Sequence, residues 1–305
     1  MSVVLAVLTY RRDEQLRSLL PLLVTQASNY GADVRILVVD NDPEAGARDV
    51  VTGASGPVQY VHEPRPGISA GRNRALDEAG DSDVLIFIDD DEEPVADWLV
   101  QLMKTYEEYG SEAVVGWVES TFARPLDPWV EAGGFFVRPR YPTGTEMPIA
   151  ATNNLLLDLA AVRRWGLRFD EDFGLAGGSD TLFTRQLVRA GGRIVYCNDA
   201  VVTDPVPVDR ATRSWVLRRR FRFGNTWSRV ELRLRPTAAE RGVARARLVA
   251  GGGARVGAGL ARHLVGWLTA SRARRAAGLG QAARGLGMVL GAFGYVYREY
   301  RRPAG

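Results

Sequence analysis

Five acids in a row, Asp89-Asp90-Asp91-Glu92-Glu93, follow the apolar run Val84-Leu85-Ile86-Phe87-Ile88 and precede Pro94. The apolar run reads as a buried central strand, being short, β-branched and aromatic. Adjacent carboxylates repel each other and lose solvation beside a sheet, so something positive must offset them. One answer is the N-terminus of a helix over Val95–Tyr109 with Pro94 in its first turn, which suits Glu92 and Glu93. It suits Asp89, Asp90 and Asp91 poorly, because they follow the strand directly. The other answer is a divalent cation with oxygen ligands that carries a phosphate. Mg²⁺ or Mn²⁺ fits such hard donors better than zinc does, since Cys197 is the only cysteine and His62 and His263 lack ligand spacing.

Other clusters could do chemistry beside these acids. Thr9-Tyr10-Arg11-Arg12 closes the apolar run Ser2–Leu8, and Asp40-Asn41-Asp42 closes Val34–Val39. Asp40 could pair with a base or ribose hydroxyl, and it could equally start a turn. Glu63–Arg74 is a loop running into a helix, where Arg65, Arg72 and Arg74 could face phosphate and Ser69 could cap the helix. Asp180 follows Gly177-Gly178-Ser179 at a helix start. It is either a capping aspartate or a general base on a glycine turn that admits substrate.

The elements that must position these residues alternate. Strands at Ser2–Leu8, Val34–Val39, Val58–Val61, Val84–Ile88 and Ala113–Val118 are interleaved with helices at Asp13–Ser28, Ile68–Ala79 and Val95–Tyr109. This order predicts an α/β fold, a Rossmann-like, mostly parallel sheet flanked by helices. Ligands of such sheets bind beyond the carboxyl ends of the strands, where Thr9, Asp40 and Asp89 all fall. Glu119–Ala150 reads as irregular and proline-rich, a length of loop that is usually functional or mobile. A strand at Thr152–Leu157, helices near Leu159–Trp165 and Thr181–Ala190, and short strands at Arg193–Tyr196 and Ala200–Thr203 follow. The expected division is 1–208 as the catalytic domain, split into halves 1–118 and 119–208, with 209–305 as a basic helical appendage.

Charge divides at the same place. From Arg210 onward there are 21 arginines and 3 acids, whereas the residues before it carry 18 basic and 33 acidic side chains. The tail therefore suits an anionic partner. A Trp-containing basic amphipathic surface fits an anionic leaflet, and the apolar stretch Leu286–Tyr297 is too short to span a bilayer. Two other readings of the tail stay open: nucleic-acid binding through arginine and aromatic side chains, and simple packing with a solvated Arg face. The N-terminus enters a strand at once without a positive n-region, so no signal peptide is expected.

Taken together, Val7-Leu-Thr-Tyr-Arg-Arg12, Val38-Val-Asp-Asn-Asp42, Arg65–Ala75, Phe87-Ile-Asp-Asp-Asp-Glu92, Thr152-Asn-Asn154 and Gly177-Gly-Ser-Asp-Thr-Leu-Phe183 resemble glycosyltransferase family 2, inverting enzymes of GT-A fold. The nearest likeness is to the bacterial exopolysaccharide branch that includes the succinoglycan-biosynthesis transferases, and it covers about Ser2–Trp227. The resemblance implies a metal-assisted single displacement from a UDP-sugar to a hydroxyl acceptor, lipid-linked or a small molecule, with Mn²⁺ or Mg²⁺. It implies that Thr9, Arg11, Asp40, Arg65, Arg72, Asp89 and Asp90 bind the nucleotide sugar. Asp91 and Asp89 would be the metal pair, with Asp204 standing where some relatives place a late His. Asp180 would be the base, and Trp117, Asn153 and Asn154 would line the sugar or acceptor side. Ser179 stands where many relatives have Glu. The location expected is cytoplasmic, peripheral on the inner face of the membrane, with no nucleic-acid partner. A nucleotidyltransferase would carry a glycine-rich loop with a Lys near the N-terminus; Thr9-Tyr-Arg-Arg-Asp13 has neither.

Overall fold

The computed structural model describes residues 1–31 and 33–297. The chain divides into two compact units, one built from Met1–Glu119, Arg138–Leu175 and Ser179–Asp204, the other from Ser120–Val137, Ala176–Gly178 and the chain from Pro205 on.

The first unit is a mixed sheet with helices on both faces. In chain order it contains β1 Ser2–Thr9, α1 Asp13–Tyr30, β2 Asp33–Asp40, α2 Arg48–Thr52, β3 Val58–His62, α3 Ile68–Ala79, β4 Val84–Asp89, β5 Glu93–Pro94, α4 Trp98–Tyr109 and β6 Ala113–Phe122. After a short helix of the second unit, α5 Pro128–Ala132, come β7 Asn154–Asp158, α6 Leu159–Arg164, α7 Ser179–Arg189 and β8 Ile194–Val206. The strand order is β3-β2-β1-β4-β7-β6-β8-β5. Strands β3, β2, β1 and β4 run parallel, as the β-α-β alternation predicts, and beyond β4 the pairing of β7 and then β6 turns antiparallel.

Side-chain alternation explains why these strands are buried on both faces. Val3, Leu5 and Val7 of β1, Ile36 and Val38 of β2, and Val84, Ile86 and Ile88 of β4 enter one core with α1 and α4. Val4, Ala6, Leu37, Val39, Leu85 and Phe87 enter the other, with α3, α6 and α7. A period of two thus feeds two layers, and the runs read as continuously apolar.

Several expected boundaries shift. Glu93–Pro94 is a short strand paired with Thr203 and Val202 of β8, and α4 starts only at Trp98. Pro94 is therefore not in a helix first turn, and no acid lies in the first turn of α4. Residues 119–150 are less irregular than expected, since β6 continues to Phe122 and Asp127 caps α5 by accepting from the Trp129 and Val130 amides. The two short strands near 193–203 are one strand, β8. Helix α3 spans the expected residues, but Gly67 at φ 117° holds its N-cap position and Ser69 donates to the Asp170 carbonyl.

The second unit is helical: α8 Arg213–Arg233, α9 Ala238–Leu268 and α10 Arg272–Ala292. Thr212, Thr237 and Ser271 cap the three, Thr237 in a full capping box with Glu240. Trp129, Val130, Phe136, Val216 and Ala276 form its main apolar cluster. None of the described helices is long and apolar enough to cross a membrane.

Candidate functional site

The register of the parallel strands aligns the polar clusters. Thr9 lies opposite Asp40 across β1 and β2, and Leu8 lies opposite Asp89 across β1 and β4. Three strand ends with chemistry-bearing side chains therefore share one sheet edge.

The positive partner of the acid run is Arg12. Its Nη1 donates to Asp90 Oδ1 and to Asp91 Oδ2, both at 2.7 Å. Burial alone would lower the basicity of Arg12; the charges of Asp90 and Asp91 outweigh it and hold the guanidinium above its ordinary value. Asp90 remains raised because it is buried, against the pull of Arg12. Asp89 is pushed up to about 7, by burial first and then by Asp91 and Asp90, with Arg72 opposing. Glu92 is also buried, and lies well above the usual carboxylate range through burial and the charge of Asp89. Its Oε1 accepts from Asn153 Nδ2 at 2.6 Å.

Arg72 links this edge to α7. Its charge opposes the rise at Asp89 without cancelling it, its Nη1 donates to Ser179 Oγ at 2.8 Å, and its guanidinium lies over the Phe169 ring. The next residue, Asp180, lies in the first turn of α7 and accepts from its own neighbour, the Thr181 amide, at 2.7 Å. It does not occupy a capping position before the helix.

The remaining candidates divide by how fully their polar atoms are engaged. Asp40 is fully buried and accepts from the Asp42 amide, the Ala47 amide and the Tyr60 hydroxyl at 2.9, 3.0 and 3.0 Å. Every one of those donors belongs to the turn after β2 or to β3, so the turn chemistry read from the sequence is present. Asn154 is likewise fully buried, accepting from Trp98 Nε1 and donating to the Trp117 and Ala200 carbonyls. It ties three elements together at the level where Asn153 reaches Glu92. Arg65 is half exposed and pairs with Glu63 at 2.9 Å and Glu171 at 3.2 Å. Its loop is pinned by Asn41, which donates to the Glu63 and Arg65 carbonyls and accepts from the Gly67 amide. Gly67 and Gly174 pack backbone to backbone there, leaving 3.3 Å for a Cβ. Arg74 faces Glu78 one turn on instead of the sheet edge. Arg11, at φ 54°, pairs with Asp42 and with exposed Glu44. The Trp117 ring is stacked by Arg140 at 3.9 Å and its buried Nε1 has no hydrogen-bond partner. Thr9 is buried, as is its hydroxyl. Asp204 pairs with Arg138 at 2.9 Å.

Among the described residues, no three Asp, Glu, His or Cys side chains converge on a point that could hold a metal ion. The donor chemistry nevertheless suits a hard cation, since Asp89, Asp91 and Asp204 supply only oxygens. Asp91 gives Oδ2 to Arg12, so a cation there would share the carboxylate with that arginine. Sequence reasoning gave roles to Arg11, Arg65 and Arg72 and none to Arg12, which the structure sets on the acid run. The signal was present: five acids need a cation, and the next strand ends in two arginines.

A parallel half-sheet with its acids at the carboxyl edge, continued by antiparallel strands, is the GT-A form of the α/β fold. The chain belongs to glycosyltransferase family 2, whose pattern residues 4–164 match. It is 38% identical over 234 residues, 74% of this chain and 74% of the other, to the succinoglycan biosynthesis protein ExoM of Rhizobium meliloti (strain 1021). It is accordingly a glycosyltransferase of exopolysaccharide type. Among solved structures, S. aureus TarS residues 1–349 matches with a TM-score of 0.53 at 14% identity, over 90% of this chain and 89% of that one. The same TarS fragment in complex with UDP-GlcNAc gives 0.52 at 14% identity, over 90% of each chain. GalNAc-T7 with UDP, GalNAc and Mn²⁺ gives 0.56 at 13% identity, over 76% of this chain and 47% of that one. These three likenesses are of fold.

Proposed function

We propose that the chain transfers a sugar from a nucleoside diphosphate sugar, a UDP-sugar, to a hydroxyl acceptor by a single inverting displacement. The observation that carries this reading is the shared edge: Thr9, Asp40 and Asp89 end adjacent strands in register, and Arg72 connects Asp89 to the turn that presents Asp180. The fold shared with chains crystallised with UDP-GlcNAc or with UDP and Mn²⁺ supports the donor class.

The roles are those that the resemblance to family 2 implies. Asp180 removes the proton of the acceptor hydroxyl as that oxygen attacks the anomeric carbon from the face opposite the leaving group. Of its two carboxylate oxygens, Oδ1 is held by the Thr181 amide and hydroxyl. Thr9 and Arg11 line the base pocket with Asp40, and Arg65 and Arg72 flank the phosphates. Asp91 and Asp89 would hold Mn²⁺ or Mg²⁺ with Asp204, and such a cation when bound neutralises the diphosphate leaving group. Asn153 and Trp117 face the sugar or acceptor side, Asn154 bracing them from below. The acceptor is a lipid-linked saccharide or a small hydroxylated molecule. The arginine-rich C-terminal region keeps the enzyme on the inner, anionic face of the membrane.

Calorimetric titration of UDP tests the reading, first with Mn²⁺ and then with EDTA, on wild type and Asp91→Asn. The expected result is binding that needs both the metal and Asp91. Folded protein that ignores UDP under both conditions would overturn the uridine-dependent donor, and the same titration with other nucleoside diphosphates would follow.

A further inference from the structure

Between Arg241 and Arg284 the α9–α10 hairpin carries nine arginines and not one acid. Its helices meet through glycine. Gly252, Gly259 and Gly266 recur every seventh residue along α9, and a Cβ at each would run into α10 at the Gly285 carbonyl, the Ala282 amide and the Arg275 amide, at 2.9, 2.6 and 2.6 Å. Leu248 packs on Met288 of α10 at the far end, but along the glycines the seam admits no large side chain, so the large apolar residues of α9 nearer the turn must face elsewhere. They do: Leu260, Leu264, Trp267 and Leu268 are 50, 60, 63 and 84% exposed. Their spacing of four, three and one puts them on one stripe that ends at the turn of the hairpin.

The turn is a charged and rigid place. The Arg275 guanidinium lies over the Trp267 ring at 4.6 Å. Trp267 Nε1 donates to His263 Nε2 at 3.0 Å, which leaves His263 Nδ1 to donate to the Arg275 carbonyl at 2.9 Å. Arg275 also lines an open cleft of about 330 Å³ with Pro128, Trp129, Arg213 and Arg272. Asp127 engages Arg213 through two bonds of 3.0 and 2.9 Å, so one of three guanidiniums is neutralised and the cleft keeps a net positive charge.

We propose that the tip of this hairpin docks on an anionic bilayer, with Leu264, Trp267 and Leu268 entering the interface while the Arg213–Arg272–Arg275 cleft takes a lipid phosphate. This rests on the membrane-surface reading of the C-terminal region given above and names the element responsible. Charge selects an anionic partner, and the leucines select among anionic partners. Nucleic acid offers no hydrocarbon in which to bury them, whereas the headgroup–acyl boundary accepts leucine, tryptophan and arginine together. Attachment at the interface also agrees with helices that are not apolar enough to span.

The experiment is co-sedimentation of the full chain with phosphatidylcholine vesicles, with and without phosphatidylglycerol. Wild type is compared with Leu264→Asp/Leu268→Asp and with Arg272→Ala, after circular dichroism and melting curves show each folded. Wild type is expected to sediment with the anionic vesicles alone. The double leucine change is expected to weaken partitioning at least about tenfold, and the loss of Arg272 about fivefold. Variants that sediment like wild type would overturn the tip as the dock and leave the membrane reading standing. Wild type that stays in solution with both vesicles would remove the membrane reading itself. A gel shift with RNA or DNA, or concentration-dependent dimerisation in light scattering, would then reassign the surface to nucleic acid or to a second copy of the chain.

Discussion

At the carboxyl edge of the first unit, four acids stand within four positions, and three of them are held by a side chain: Asp90 and Asp91 by Arg12, Glu92 by Asn153, while the charge of Arg72 opposes the rise at Asp89. In the hairpin of the second unit, nine arginines between Arg241 and Arg284 stand with no acid among them, and those with described bonds reach mostly for carbonyls. The difference is one of order. The edge confines like charges beside a packed sheet, where water cannot screen them, so the fold supplies counter-charges at fixed distances. The hairpin places much of its packing in glycine and leaves most of its arginines, and the leucines and tryptophan near its turn, exposed. An edge of that kind can hold a substrate in one geometry; a hairpin of that kind can meet a surface without specifying its details.

The largest expected effect sharpens the first half of this contrast. Asp180→Asn keeps the shape of the α7 turn and removes the proposed base. Turnover with a UDP-sugar and a competent acceptor is expected to fall by roughly two to four orders of magnitude, with UDP affinity little changed. Unchanged turnover would assign the proton to another group. Next comes Arg12→Ala, which leaves Asp90 and Asp91 facing each other without a counter-charge. A loss of about 3 kcal/mol in urea unfolding is expected, because removing one partner of a largely buried pair strands the other. A divalent cation should restore part of it. If stability is unaffected, water and not Arg12 balances the acids.

The same contrast explains what could be read from sequence. The parallel strands and their polar ends were legible because the apolar runs of β1, β2 and β4 are bounded by residues that cannot be buried cheaply. The resemblance of six ordered motifs to family 2 was legible in part for the same reason, since four of them lie at the ends of apolar strand runs and the other two open helices α3 and α7. Pairing across the chain was not. Nothing local distinguishes Arg12 from Arg11, and the choice is made by a left-handed turn at Arg11, which sends that side chain to Asp42. Nor did the sequence reveal that Glu93–Pro94 would pair with β8, because a two-residue strand has no period. The glycines of α9 and α10 read as blocks of low complexity; their seven-residue spacing acquires meaning only once the two helices are seen to touch.

The contact of α10 with α8 gives the third prediction, a pair of identical substitutions with opposite signs. Gly287→Ala would push a methyl group into the Phe221 carbonyl of α8, backbone that cannot yield cheaply. Its expected cost is about 2 kcal/mol. Gly253→Ala, in the exposed interior of α9, meets nothing within 4 Å and should stabilise the helix by roughly 0.5–1 kcal/mol. Melting curves of the two variants check both. Equal effects would mean that α8 and α10 do not approach as closely as described.

The smallest effect returns to the sheet edge, and its sign is fixed by burial. Asp89 is raised to about 7, and Glu92 also lies above its ordinary range, both chiefly because they are buried. A carboxyl whose folded value exceeds its unfolded one stabilises the fold at low pH and loses that contribution as pH rises through the folded value. For Asp89 the loss runs from about pH 4 to about pH 7. Carboxyls shifted the other way, such as Glu63 beside Arg65 and Asp127 beside Arg213, contribute above their unfolded values and are already fully ionised at the upper end of this window. With EDTA present, the Tm is therefore expected to decline between about pH 5 and about pH 7 by a few degrees, on the order of 1 kcal/mol. Mn²⁺ binds the ionised form, so the Tm gain it produces should grow over the same interval, and Asp89→Asn should flatten both trends. A Tm that rises with pH in EDTA would mean that Asp89 is ionised in the folded protein throughout, and that Arg72 and Arg12 together outweigh the burial of the edge.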